Sequence, residues 1–144
     1  MSVYAESSAV LAWLLDEPRG RHIIKALATD RSIVVSDLTL VECSRVLRRS
    51  LATNNLSQIE AERMLAALGT AAAHWMRSNI SQDVLNRASR PFPLEPIRTL
   101  DAIHLATAIR IRRALPDLKI LTLDRRIRAN GEALGFEILP ELAE

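Results

Sequence analysis

RTLDAIHLATAIRI, residues 98–111, decides the reading of this chain. Leu100, Ala102, Ile103, Leu105, Ala106, Ala108, Ile109 and Ile111 recur at helical spacing and leave almost no fully polar face. The pattern predicts a helix made for burial. Yet Asp101 stands in its first turn, and His104 follows on the same face. An unpaired buried carboxylate is costly or takes up a proton, so this helix calls for a partner to Asp101.

Working outward, short apolar runs alternate with helical ones. SVYAE (2–6) predicts a strand and SSAVLAWLLDE (7–17) a helix broken at Pro18. PRGRHIIKALATD (18–30) predicts a helix with Pro18 near its first turn. RSIVVS (31–36) is a β-branched run, read as a buried strand. DLTLVECSRVLRRSLAT (37–53) follows as a helix with Ser36 or Asp37 as N-cap. SQIEAERMLAALGTAAAHW (57–75) opens on a capping-box pattern, Ser57 with Glu60. SQDVLNRASR (81–90) is a short helix, and the three prolines of RPFPLEPIR (90–98) mark a loop. After the buried helix come a strand in LKILTLD (118–124), a helix over 124–135 ended by Gly135, and a last strand in FEIL (136–139). Strands alternating with helices predict an α/β fold around a mostly parallel sheet, in one domain over 1–144.

Composition narrows the function. The 144 residues are 49% hydrophobic and 25% charged, enough for one core. The net charge is only +2, yet Lys25 and Lys119 are the only lysines among 19 basic residues. Arginine suits phosphate and carboxylate partners, although a coding bias produces the same excess. Cys43 is the only cysteine, which excludes an internal disulfide and a cysteine-rich zinc site and points to a reducing compartment. No apolar run is long enough to span a membrane, and MSVYAESSAV does not have the form of a signal peptide. The expected location is the cytoplasm.

Ligands of open parallel sheets bind outside the carboxyl ends of the strands. Four acids fall there: Glu6 at the end of the first strand, Glu42 on the helix after the second, Asp101 on the buried helix, and Asp124 at the end of LKILTLD. Gathered together they repel one another, and a divalent cation relieves that. Mg²⁺ takes oxygen ligands and suits phosphate substrates. Each acid also has a structural reading: Asp101 paired with Arg98, Asp124 an N-cap, Glu42 paired with Arg45, Glu6 a cap for the helix starting at Ser7. Ser7 and Ser8 read first as capping residues, both also placed to contact a metal-bound water or a phosphate, and Ser8 is a candidate support for the acids. Thr122 points to the same side of its strand as Asp124 and is a candidate support for the acids. Zinc is a poor reading of His104, because His22 and His74 lie at no ligand spacing. Cys43 reads as core, and Trp13 and Trp75 as core or interface.

VYAESSAVLAWLLDEP, VVSDLTLVECSRVLRR, RTLDAIHLATAI and LTLDRRIRANGEALGFEIL, in this order and spacing, resemble the PIN-domain ribonucleases. The resemblance is strongest to the toxins of VapBC-type toxin–antitoxin pairs and spans essentially the whole chain. It implies a Rossmann-like sheet, cleavage of single-stranded or loop RNA, and Mg²⁺ or Mn²⁺ held by Glu6, Glu42, Asp101 and Asp124. It also implies a homodimer and a small VapB-like antitoxin lying in the active-site groove. Glu6 departs from the family pattern, which has Asp there; the carboxylate is displaced by one C–C bond, ~1.5 Å. Arg45, Arg125 and Arg126 are the arginines expected to hold RNA backbone. Two other functions fit the same residues: a binding module with a weakened site, and an RNA-processing nuclease outside any toxin pair.

Overall fold

A computed structural model describes residues 1–28 and 32–142. Five strands, β1 (Ser2–Ala5), β2 (Ser32–Ser36), β3 (Met76–Ser78), β4 (Lys119–Leu121) and β5 (Ile138–Leu139), form one sheet in the order β3-β2-β1-β4-β5. Every pairing is parallel. Among the described residues seven helices cover the sheet: α1 (Ser7–Leu14), α2 (Gly20–Ala28), α3 (Asp37–Ala52), α4 (Gln58–Ala72), α5 (Gln82–Ala88), α6 (Thr99–Ala114) and α7 (Arg125–Ala133).

The side-chain alternation of β1 divides the core between the two faces. Val3 and Ala5 join Val10, Ile23, Val35 and Leu47 on the α1–α4 side. Tyr4 faces the other way, joining Leu105, Ile120 and Ile127 under α5–α7. Both faces are therefore covered, which is why the strands read as apolar runs rather than alternating ones. Gly20 lets α2 start against α1: a Cβ there would lie 2.5 Å from the Ala12 carbonyl oxygen.

Ser36 caps α3 through the Leu38 N–H, and the Ser57–Glu60 capping box is formed. Gly135, at φ +89°, stops α7. The helix expected to run to Trp75 ends at Ala72, and the chain turns into β3 instead. Met76–Arg77–Ser78 is a short edge strand with Met76 and Arg77 exposed, so no β-branched run announced it. Residues 29–30 of the second predicted helix and residue 31 of the second strand lie outside the described residues. Pro18 sits in the turn ahead of α2 rather than inside it. Among the described residues no helix is long and apolar enough to cross a membrane.

The chain leaves β1 for β2 on one side and returns to β4 on the other. The strand order thus reverses beside β1, the point where a parallel sheet opens a crevice at its carboxyl end. Glu6 follows β1 directly, and Asp124 follows β4 by three residues.

Candidate active site

Register brings the first partners together. Ala5 pairs with Leu121, so Glu6 emerges beside Thr122. The Glu6 carboxylate is buried, and its Oε2 accepts from Ser8 Oγ at 2.5 Å and Thr122 Oγ1 at 2.6 Å. Both hydroxyls are themselves fixed, because Ser8 Oγ accepts from the Leu123 N–H and Thr122 Oγ1 from the Asp124 N–H. Glu6 Oε1 is left pointing at His104 Nε2, 4.0 Å away.

Glu42 projects from the second turn of α3 toward the same imidazole. Its Oε1 meets His104 Nε2 at 2.5 Å and accepts from Ser7 Oγ at 2.7 Å. Behind the ring, Tyr4 OH lies 2.6 Å from Nδ1. Burial pushes the Tyr4 phenol far up, with Glu6 and Glu42 adding to the effect, so the phenol keeps its proton. The Tyr4 hydroxyl and the Glu42 carboxylate thus hold the two ring nitrogens of His104 between them. Burial alone would raise the Glu42 pKa; the hydrogen bond and charge of His104, with the Ser7 hydroxyl, outweigh it and hold the carboxyl below its ordinary range. Glu42 Oε2 takes no hydrogen bond among the described residues.

Asp101 and Asp124 form the second pair. Asp124 caps α7, its Oδ1 accepting from the Arg126 and Ile127 N–H groups, which leaves Oδ2 open. Asp101 is mostly buried, and its Oδ2 is a buried oxygen with no hydrogen-bond partner. Its nearest cation is the exposed Arg98, Nε at 3.7 Å. Burial raises the Asp101 pKa, the Asp124 charge raises it further, and Arg98, His104 and Arg126 only partly oppose them.

The four acids therefore stand as two pairs, joined where Thr122 touches both Glu6 and the Asp124 backbone. As they stand, no three Asp, Glu, His or Cys side chains among the described residues make a ready metal cluster. Their donor set nevertheless fits a divalent cation. Asp101 Oδ2 is buried with no hydrogen bond and only the exposed Arg98 to balance it, and Glu6, Glu42 and Asp124 each keep one carboxylate oxygen free of hydrogen bonds among the described residues.

Several structural readings are corrected by these contacts. Glu6 occupies the N-cap position of α1 but makes no side-chain cap. Ser7 and Ser8 hold Glu42 and Glu6 instead of capping. Glu42 pairs with His104, not with Arg45. Asp124 as N-cap and the Asp101–Arg98 pair are both present. Thr122 Oγ1 donates to Glu6 Oε2 and accepts from the Asp124 N–H. Arg45, Arg125 and Arg126 are exposed and form no ion pair among the described residues, although the Arg126 charge reaches Asp101. Tyr4 and the bridging role of His104 escaped the sequence; a polar His on the buried face of an apolar helix was the available signal. Cys43 is core, its thiol pushed up to about 12 by burial and then by Glu6 and Glu42. Trp13 and Trp75 pack edge to face beside the α1–α4 core, and His22 and His74 are exposed.

Glu6 and Asp124 follow the carboxyl ends of β1 and β4 in a parallel sheet, and this chain belongs to the PIN domain family, whose model matches residues 3–133. It is similar to Ribonuclease VapC46 of Mycobacterium tuberculosis, 32% identical over 138 residues that make up 96% of each protein. Its fold resembles VapBC2 from Rickettsia felis, solved with a DNA fragment from their promoter, at TM-score 0.65 and 11% identity over 96% of this chain and 97% of that one. It also resembles Mycobacterium tuberculosis VapC20, described as a Sarcin-Ricin loop cleaving toxin, at TM-score 0.66 and 15% identity over 93% and 95% of the two chains.

Proposed function

We propose that this protein is a divalent-metal-dependent endoribonuclease, the toxin of a toxin–antitoxin pair, hydrolysing RNA phosphodiester bonds. The observation that carries the reading is Asp101: a buried carboxylate with an orphaned oxygen, set against Asp124 at the carboxyl end of a parallel sheet. The full-length similarity to a protein named as a ribonuclease supports it, as does the likeness in fold to VapBC proteins. A small antitoxin partner and a homodimer belong to the same proposal, and so does a cytoplasmic location.

In this reading Glu6 and Asp101 are the chief ligands of Mg²⁺ or Mn²⁺, with Glu42 and Asp124 completing the set directly or through water. A divalent ion in such a site supplies Lewis-acid stabilisation of phosphoryl charge and activation of water. The chain's own residues do the positioning. Ser8 and Thr122 hold Glu6 Oε2, turning Oε1 to the site. His104 and Ser7 hold Glu42 Oε1 and keep the carboxylate ionised, which leaves Oε2 to the site. The Arg126 and Ile127 amides do the same for Asp124.

Purified protein incubated with RNA and Mg²⁺ or Mn²⁺ tests the proposal. Cleavage that stops with EDTA and is lost in a folded Asp101→Asn protein is the expected result. Undiminished cleavage by that variant refutes the assignment.

A further inference from the structure

The arginine excess of the sequence is not absorbed by the acid site. Four arginines converge instead between α5 and α6, away from it. Arg87 and Arg90 come from the end of α5 and the turn after it, and Arg110 and Arg113 from the last turns of α6. Together they line a cavity of about 160 Å³. Asp83 is the only acid on its wall, and it pairs with none of them; among the described residues none of the four arginines forms an ion pair.

Arg87 and Arg110 are partly buried residues, whereas Arg90 and Arg113 are exposed. Arg87 is oriented by a bond to the Pro91 carbonyl and by stacking over Phe92, 4.2 Å from the ring centroid. Arg110 has no hydrogen-bond partner among the described residues. Partial desolvation and the nearby Arg90 charge both lower the Arg87 pKa. Four like charges around one hollow repel each other, and none of them pairs with an acid among the described residues. An anion placed there relieves the repulsion and finds planar forks that bind phosphate oxygens in pairs.

We propose that the α5–α6 arginine cluster is a phosphate-binding exosite that grips the RNA backbone outside the catalytic centre. Naming RNA as the source of the phosphate rests on the ribonuclease reading above. Nine residues separate Asp101 from Arg110, half an odd number of helical turns, so the two project from opposite sides of α6. RNA that reaches both must cross the helix rather than end in the acid site. A lining dominated by four arginines, with Ala106 buried and Ile109 half-buried among them, offers phosphate contacts but little apolar anchorage for a protein segment.

Fluorescence anisotropy of a labelled RNA hairpin with single-stranded flanks tests this. Full-length protein carrying Asp101→Asn is used in EDTA, so that no cleavage intervenes. Arg110→Gln/Arg113→Gln in that background is expected to weaken RNA binding about tenfold or more at low salt. Losing two phosphate contacts should also flatten the slope of log K against log[salt] by about 1.4. Arg90→Gln/Arg113→Gln, which alters only exposed residues, is expected to give the same direction of change and serves if loss of the partly buried Arg110 disturbs folding. Arg48→Gln/Arg49→Gln on exposed α3 is the charge-matched control. Unchanged affinity and slope in the cluster variants overturn the exosite, as does an equal loss in the α3 control. Inorganic phosphate that binds the parent as tightly as the hairpin does identifies a free-anion site and overturns the RNA assignment, and loss confined to an acidic protein partner does so too. Binding that depends on the cluster in a protein that cleaves no RNA would sink the ribonuclease reading and leave the exosite standing; cleavage with cluster-independent binding would do the reverse.

Discussion

Replacing Asp101 with Asn should reverse its stability ranking against the parent when metal is added. The Asp101 side chain is 14% exposed, its Oδ2 is buried without a hydrogen bond, and burial and the Asp124 charge both disfavour its ionised form. A buried polar atom left unpaired costs roughly 1–3 kcal/mol. The one compensating pair uses Arg98, whose side chain is 71% exposed, so it is worth at most about 1 kcal/mol. Asn keeps the shape and removes the charge, so the metal-free variant should gain about 1 kcal/mol, or about 3 °C in Tm for a domain of this size. With Mn²⁺ at a hundred times Kd, the parent gains about 2.7 kcal/mol. A variant that has lost a ligand gains little of this, so the parent should then lead by about 1.7 kcal/mol.

Thermal unfolding in EDTA and in Mn²⁺ measures both rankings. pH supplies an internal check. The folded Asp101 pKa lies above its unfolded value of about 3.9, so the native state binds this proton more tightly than the unfolded chain does. The cost of ionised Asp101 is complete above the folded value and fades as pH falls through it toward the unfolded one. The metal-free gap between variant and parent should therefore close on acidification. The same ranking in EDTA and in Mn²⁺, or a gap that ignores pH, would refute the reasoning.

Thr122→Val deletes one of the two hydroxyls on Glu6 Oε2 at nearly constant shape; RNA cleavage should fall roughly 10–100-fold, the usual loss when an outer partner of a metal ligand is removed, and unaltered rates would free Glu6 from this clamp. Glu6→Gln should abolish cleavage while Glu6→Asp retains it and narrows any preference for Mn²⁺ over Mg²⁺; parallel assays in the two metals decide, and a fully active Gln variant would make Glu6 structural. Gly20→Ala forces a Cβ to 2.5 Å from the Ala12 carbonyl oxygen, so it should destabilise by about 1–3 kcal/mol in urea unfolding, and a neutral result would mean that α1 and α2 separate easily.

Much of the fold was legible because four of the five strands among the described residues lie in β-branched or apolar runs, and caps such as Ser36, Ser57 and Ser81 mark the starts of helices. β3 was not, since three residues at a sheet edge owe their conformation to pairing with Val34–Ser36 rather than to their own propensity. The acids were legible one at a time, because each follows a strand or opens a helix. Their partners were not. Thr122 reaches Glu6 across 116 residues and His104 reaches Glu42 across 62, and only the parallel register and the packing of α6 set those distances.

The contacts also give a physical account of Glu6. A glutamate in place of aspartate carries its carboxylate ~1.5 Å farther from the backbone, and an unrestrained side chain of that length would spread its oxygens over several rotamers. Ser8 and Thr122 remove that freedom: both hydroxyls seize Oε2, and each is fixed in turn by a backbone amide of the 122–124 segment. The longer side chain is thus folded back onto the end of β4, and Oε1 alone is presented beside His104. The same segment ends in Asp124, which spends Oδ1 on α7 and keeps Oδ2 free. One stretch of backbone, Thr122–Asp124, therefore sets the orientation of two acids. A change in its path would move both at once, so substitutions at Thr122 should alter metal affinity more than the loss of one hydroxyl contact to Glu6 accounts for.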